Sequence, residues 1–143
     1  MRIEVLNGVN LDVLGHRDPA LFGGLSLPEL ETRIYEWARE VGCTVRCRQT
    51  NHEGEYVEWC HALYDAVDGA VVNPGAWAHY SWAIRDALEP AGVPIVEVHL
   101  SNVDEREEWR RLSVLAGLHA ERIVGQGPEG YRKALEFLVA PRP

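Results

Sequence analysis

Short apolar runs alternate along this chain with longer stretches whose apolar residues recur three and four apart. Ile3 and Val5 alternate with polar neighbours between Met1 and Leu6, and the run stops at Asn7-Gly8, which predicts a strand and then a turn. From Ser26 the period lengthens, and Leu30, Ile34, Trp37, Ala38 and Val41 form the inward stripe of a helix. Ser26 with Glu29 three residues on reads as a capping box, Pro28 suits the first turn, and Gly42 closes the helix. Thr44 to Arg48 predicts a second strand ending at Gln49, after which Val57, Cys60, Tyr64 and Val67 return to helical spacing. Ala70-Val71-Val72 is a wholly apolar strand that halts at Asn73-Pro74-Gly75, with a helix expected from about Ala78 to Glu89. Val93 to Val98 has the Val- and Ile-rich composition of a buried parallel strand. Ile123-Val124 supplies a last short strand, and Pro128 opens a helix with Tyr131, Ala134, Leu135 and Leu138 facing inward.

This alternation predicts a single α/β domain over residues 1–143, with a five-stranded parallel sheet covered by helices on both faces, most simply flavodoxin-like. Such sheets bind ligands at the carboxyl ends of their strands. Asn7 and Asn10, Gln49 and Asn51, Asn73, and then His99 and Ser101 all follow strand carboxyl ends, so one edge collects amides, an imidazole and a hydroxyl. The long connection from Asn7 to Gly24 predicts a lid or binding loop over about residues 12–24. Beyond Ser101, Arg106 and Arg110 stand four apart, a spacing that one helical turn places on a single face. Guanidinium forks match carboxylates, so this edge suits an anionic, hydroxylated small molecule.

Net charge changes the picture of partners. With 14 basic against 22 acidic residues the chain carries −8, which disfavours nucleic acid and anionic membranes. No apolar run reaches spanning length and the amino terminus lacks a signal-peptide pattern, so the chain reads as cytoplasmic. Cys43, Cys47 and Cys60 lack C-x-x-C spacing and read as reduced thiols, and the six histidines form no H-E-x-x-H pair, so no metal is expected. Gly125-Gln-Gly127-Pro-Glu-Gly130 fits the dinucleotide string, but no acidic residue stands about 20 positions on, and a helix start that needs glycines is the better account. There is no Walker sequence, and Ser101 is not in a G-x-S-x-G elbow, so no nucleotide cofactor and no serine-hydrolase chemistry is expected.

Four blocks carry a likeness that runs nearly end to end. They are Asn7-Gly8-x-Asn10-Leu11 with Leu14-Gly15-x-Arg17-x-Pro19 and Gly23; Gln49-x-Asn51-His52-Glu53-Gly54-Glu55; Asn73-x-Gly75-Ala76-x-x-His79-x-Ser81 with Ala83-x-Arg85-Asp86-Ala87; and Glu97-Val98-His99-x-Ser101-Asn102 with Arg106-Glu107 and Arg110. In these the chain resembles the type II 3-dehydroquinate dehydratase family, flavodoxin-like lyases that eliminate water from a cyclic hydroxy keto acid through an enolate, without metal or nucleotide. The resemblance implies His99 as the acid that protonates the departing hydroxyl and Asn10 as the group that orients water or the enolate oxygen. It implies Arg17 on the lid as the charge that lowers the pKa of the base, and Leu100 and Ser101 as the holders of the substrate carboxylate. Asn73, His79 and Arg110 are implied to bind ring hydroxyls, with Arg106 beside them. Asp86 is implied to reach a neighbouring subunit's site in a homo-dodecamer of trimers.

One position departs in a way that touches the chemistry. The family's base is a lid tyrosine, and this chain has Phe22 in its place, with no proton to give or take. Val9, Pro74, Tyr80 and Leu112 depart nearby, and Tyr80 is the one unexpected phenol, either a substitute base or a packing residue. Three readings follow: a dehydroquinase impaired by Phe22, the same fold recruited to another cyclic keto or hydroxy acid, or a non-catalytic binding protein.

Overall fold

A computed structural model describes residues 1–141; the last two positions of the expected 1–143 domain lie outside the described residues. Five parallel strands, β1 (Arg2–Asn7), β2 (Thr44–Gln49), β3 (Gly69–Asn73), β4 (Ile95–His99) and β5 (Glu121–Val124), form one sheet in the order β2-β1-β3-β4-β5. This is the flavodoxin-like arrangement expected from the alternation of patterns. The period of two along each strand splits the core in two. Ile3, Val5, Val71, Val96 and Val98 face α2 (Leu27–Val41) and α5 (Glu129–Val139). Leu6, Ala70, Val72 and Ile95 face α3 (Glu53–His61) and α4 (Trp82–Leu88). Helix α2 begins and ends as its sequence dictates: Ser26 accepts from the Glu29 backbone, Glu29 answers on the Ser26 N–H, and Gly42 caps in the left-handed region.

Three sequence expectations shift. Helix α3 ends at His61, with Tyr56 and Cys60 inward and Leu63 buried in the turn beyond it, while Tyr64 is exposed. A turn follows the helix to Ala66, with Asp65 left-handed within it, so no helical register reaches Tyr64 or Val67. The helix after β3 starts at Trp82 rather than near Ala78, because Gly75–His79 forms a 3-10 turn first and Ser81 then caps the Ile84 N–H. Residues 103–111 form no α-helix: two short 3-10 turns, Val103–Glu105 and Glu108–Arg111, flank an extended Arg106. Arg106 and Arg110 therefore meet through loop geometry and not through a shared helical face.

The carboxyl ends of β1 and β3 are pressed together. A Cβ on Gly8 would stand 2.5 Å from the Pro74 carbonyl oxygen, so only glycine admits this approach. The lid is also more ordered than a loop: Leu11–His16 is 3-10 and Pro19–Phe22 forms one helical turn, α1, capped by Asp18. The glycines of 125–130 serve the fold. The Gly125 N–H donates to the carbonyls of His99 (3.2 Å) and Ser101 (3.1 Å), and the Gly127 N–H to that of Leu100 (3.1 Å). Their donors are spent fixing the turn after β4. Among the described residues no helix is long and apolar enough to cross a membrane.

Candidate active site

The turns after β1, β3 and β4 and the lid enclose a cavity of about 90 Å³. Asn10, Arg17, Phe22, Asn73 and His79 line it, as do His99, Leu100, Ser101, Arg106 and Arg110. Ten of the eleven residues singled out from the sequence are thus brought to one place. Asp86 is the exception: it is exposed on α4 and does not line the cavity of its own chain. Tyr80 is 60 % exposed and also stands outside the lining.

Each lining group is held by the fold. Asn10 is in the left-handed region, which asparagine tolerates, and its N–H donates to Asn51 Oδ1 at 2.9 Å. Asn51 in turn accepts from Gln49 (3.1 Å) and donates to Asp12 (2.9 Å), tying the end of β2 to the lid. Asn73 donates to the Tyr131 hydroxyl at 2.8 Å and accepts from the Gly75 N–H at 3.2 Å. The Tyr131 hydroxyl donates to Asn7 Oδ1 at 2.6 Å. Burial pushes that phenol well above the ordinary tyrosine value, so it stays a neutral hydrogen-bonding strut.

The two histidines lie with ring centroids 5.8 Å apart and nearly parallel. His79 Nδ1 sits 2.8 Å from the Leu112 carbonyl oxygen, which can only accept, so Nδ1 carries the proton. Burial first, and then the charges of His99 and Arg110, lower the His79 pKa despite that bond, keeping the ring neutral. His99 is fixed from the other side: its Nε2 donates to Glu97 Oε2 at 2.7 Å. Nδ1 is left for a ligand. Glu97 shares a face of β4 with His99 because the two are a strand period apart. Its other oxygen accepts from the Ser113 hydroxyl at 2.7 Å, and Arg122 stands 3.8 Å away. Burial pushes the Glu97 carboxyl up, but the hydrogen bond and charge of His99, the Ser113 bond and the Arg122 charge outweigh it, so it sits below the ordinary carboxylate value. Glu97 is therefore an anion at neutral pH, facing the Nε2–H of His99.

The sequence reading gave Glu97, Ser113 and Arg122 no role. Glu97 had a signal, an acidic residue inside an apolar strand two positions before His99. Ser113 and Arg122 had none, since they arrive from a distant turn and from β5.

Phe22 faces the charges. Its ring is 8 % exposed, with the Arg17 guanidinium 3.9 Å from its centroid and that of Arg106 at 5.5 Å. Arg106 donates to the Ser101 hydroxyl at 3.2 Å. Arg110 is hydrogen-bonded to Glu107 and stacks on Trp109, whose ring stands edge-on to His79 at 5.4 Å. Trp109 is itself exposed. Arranged this way, the cavity can hold a ring carboxylate on Ser101 and the arginines, offer a proton from His99, and stabilise oxygen-centred charge.

The family model described as dehydroquinase class II matches residues 1–139. A 3-dehydroquinate dehydratase of Syntrophotalea carbinolica is 50 % identical over 135 residues, covering 94 % of this chain and 91 % of the relative. That of Deinococcus radiodurans is 47 % identical over 135 residues, covering 94 % of each. Among solved structures, a type II dehydroquinase from Propionibacterium acnes superposes with a TM-score of 0.93 at 42 % identity, covering 96 % of this chain and 95 % of that one. A 3-dehydroquinate dehydratase-like protein from Bifidobacterium longum superposes less closely, with a TM-score of 0.72 at 31 % identity over 97 % and 95 % of the two chains.

Proposed function

This chain belongs to the class II dehydroquinase family, and we propose that it is a hydro-lyase that eliminates water from a cyclic hydroxy keto acid, with 3-dehydroquinate as its reference substrate. The observation that carries this reading is His99, fixed at the cavity wall by an anionic, buried Glu97 and facing the ring-acid site.

The reaction divides among the residues as follows. Ser101, the Leu100 backbone and Arg106 hold the carboxylate, and Asn73, neutral His79 and Arg110 meet ring hydroxyls. A base removes the proton beside the ketone, and electron density moves onto the ketone oxygen as an enolate. Asn10 orients the water or oxygen at that point, and the enolate charge develops among N–H donors already in place. Collapse of the enolate expels the hydroxyl, which takes the Nδ1 proton of imidazolium His99 and leaves as water. Glu97 steadies the imidazolium. Position 22 takes no part in the first proton transfer, because a phenyl ring has no basic atom, so turnover of 3-dehydroquinate is low.

Phe22 is also the observation that favours a second reading, in which the same pocket has been recruited to a different cyclic keto or hydroxy acid. Under either reading the assembly is a dodecamer of trimers in which Asp86, exposed on α4, reaches a neighbouring subunit's site. The direct test follows 3-dehydroquinate by the ultraviolet absorbance of its conjugated enone product. Slow turnover that disappears in His99→Gln supports the lyase reading. Absence of product from both the parent and Phe22→Tyr overturns it.

A further inference from the structure

Asn7, Tyr131 and Asn73 form a buried chain of hydrogen bonds behind the cavity, and of the three only Asn73 reaches its wall. The chain has a single polarity. The Gly75 N–H can only donate, so the amide atom 3.2 Å from it is the Asn73 oxygen. The Asn73 nitrogen is then the donor to the Tyr131 hydroxyl at 2.8 Å, and the phenol oxygen accepts. The one phenol proton is left for Asn7, whose oxygen takes it at 2.6 Å. Asn7 Nδ2 is buried with no partner, so Asn7 serves the chain through its oxygen alone. The anchor is a turn that only glycine makes: Gly75 has φ +64°, and a Cβ there would stand 2.7 Å from the Val9 carbonyl oxygen. Asn7, Tyr131 and Asn73 are at most 3 % exposed, so these links are complete within one chain, whatever a neighbouring subunit brings to the cavity mouth.

Asn73 therefore meets the cavity with its amide already committed. One N–H goes to Tyr131 and one oxygen lone pair takes the Gly75 N–H, which leaves one N–H and one lone pair. That remainder matches a hydroxyl, which donates and accepts through one atom, and finds nothing on a bare ring carbon. We propose that Tyr131 and Asn7 are positioning residues that hold the Asn73 amide in one orientation and so set the cavity's preference for a hydroxylated ring acid. This rests on reading the cavity as a ring-acid site and adds the buried residues behind its hydroxyl selectivity. Without the phenol, the Gly75 N–H is the one remaining link, and the Asn73 amide turns about its Cβ–Cγ bond. Without the Asn7 oxygen, the phenol proton turns to Asn73. The amide must then flip its oxygen towards Tyr131 and set its NH2 against the Gly75 N–H, donor against donor.

The test is calorimetric titration of the purified assembly with 1,3,4,5-tetrahydroxycyclohexanecarboxylate, and with cyclohexanecarboxylate as the acid that lacks hydroxyls. Tyr131→Phe should weaken the tetrahydroxy acid by about 5-fold, the effect of one net hydrogen bond, and the unsubstituted acid far less. Asn73→Ala should weaken the tetrahydroxy acid at least as much, and adding Tyr131→Phe to it should cost nothing further. A phenol that only supports the core would weaken both acids alike, and its effect would add to that of Asn73→Ala. Asn7→Asp keeps the accepting oxygen and should keep the preference, whereas Asn7→Val should lose it as Tyr131→Phe does. These two variants serve should Tyr131→Phe fold poorly. An unchanged preference in folded Tyr131→Phe or Asn7→Val overturns the inference, as does a Tyr131→Phe effect that persists in Asn73→Ala or a preference lost in folded Asn7→Asp. Tetrahydroxy acid binding that still weakens in Arg110→Ala then leaves the ring-acid reading standing. Absence of binding by both acids removes both.

Discussion

Restoring a phenol at position 22 tests the chemistry most directly. Phe22 is almost fully buried, with the Arg17 guanidinium 3.9 Å above its ring centroid. A hydroxyl added to the ring edge would lie at roughly 5 Å from that charge, where unit charges at an effective dielectric of about 20 interact by about 3 kcal/mol. At about 1.4 kcal/mol per pKa unit this pulls a phenol from about 10 to about 8, before burial takes back part of the gain. A placed base contributes at least about 10²-fold, so Phe22→Tyr should raise kcat/KM on 3-dehydroquinate by that factor or more. The activity should climb with pH as the phenol ionises. The enone absorbance assay follows both quantities, with circular dichroism to verify that the added hydroxyl leaves the fold intact. Phe22→Tyr combined with Arg17→Gln should lose most of the gain, because nothing then lowers the phenol's pKa. Two results refute the reasoning: an unchanged rate in a folded Phe22→Tyr, or a gain fully retained without Arg17.

Other expectations are independent of the phenol. Arg110→Ala should weaken binding of a ring hydroxy acid by about 2 kcal/mol, roughly 30-fold in Kd by calorimetry; equal affinity would remove Arg110 from the site. Glu97 has a folded pKa below its ordinary 4.5, so it contributes stability above that value that is lost as pH falls through the lower one. The stability deficit of Glu97→Gln in urea titrations should therefore narrow below about pH 4.5, and a deficit constant with pH would contradict the ion-pair account. Burial pushes the Cys47 and Cys60 thiols up to about 12, whereas Cys43 is less enclosed, so a disulfide reagent should label Cys43 first; equal labelling rates would show the enclosure to be wrong. Light scattering should find a dodecamer, and a stable 16.1 kDa monomer at micromolar concentration would exclude any role for Asp86 in a neighbour's site.

How far the fold could be read in advance depended on whether a residue's role was local. Ser26, Glu29 and Gly42 bounded α2 because capping needs only residues within a turn of one another. The period of two placed Ile3 and Val5 on one face and Leu6 on the other, and the same rule puts Glu97 beneath His99. Tyr64 failed as a core residue because the helix had already ended at His61, so the register that its spacing assumed no longer held. The strand-end rule collected Asn10, Asn73, His99 and Ser101 at one edge before any coordinates were known, since parallel strands share a direction.

What could not be read was the pairing of charges across loops. Arg106 and Arg110 reach the cavity from two separate 3-10 turns, so their four-residue spacing was right about the destination for the wrong geometric reason. Phe22 shows the same division more sharply. Its identity, and the loss of a basic atom that it entails, are visible in one letter of sequence. That its ring packs against both Arg17 and Arg106 depends on how the lid folds over the β4 turn. The same substitution therefore does two things at once. Under the proposed mechanism it removes a base from the first proton transfer, and it leaves position 22 uncharged in a pocket that holds three guanidiniums. The first effect is expected to lower turnover of 3-dehydroquinate, which the Phe22→Tyr assay reads. The second leaves the charge of Arg17 to be met from outside the chain's own cavity, so the lost base and the altered charge balance have one physical cause.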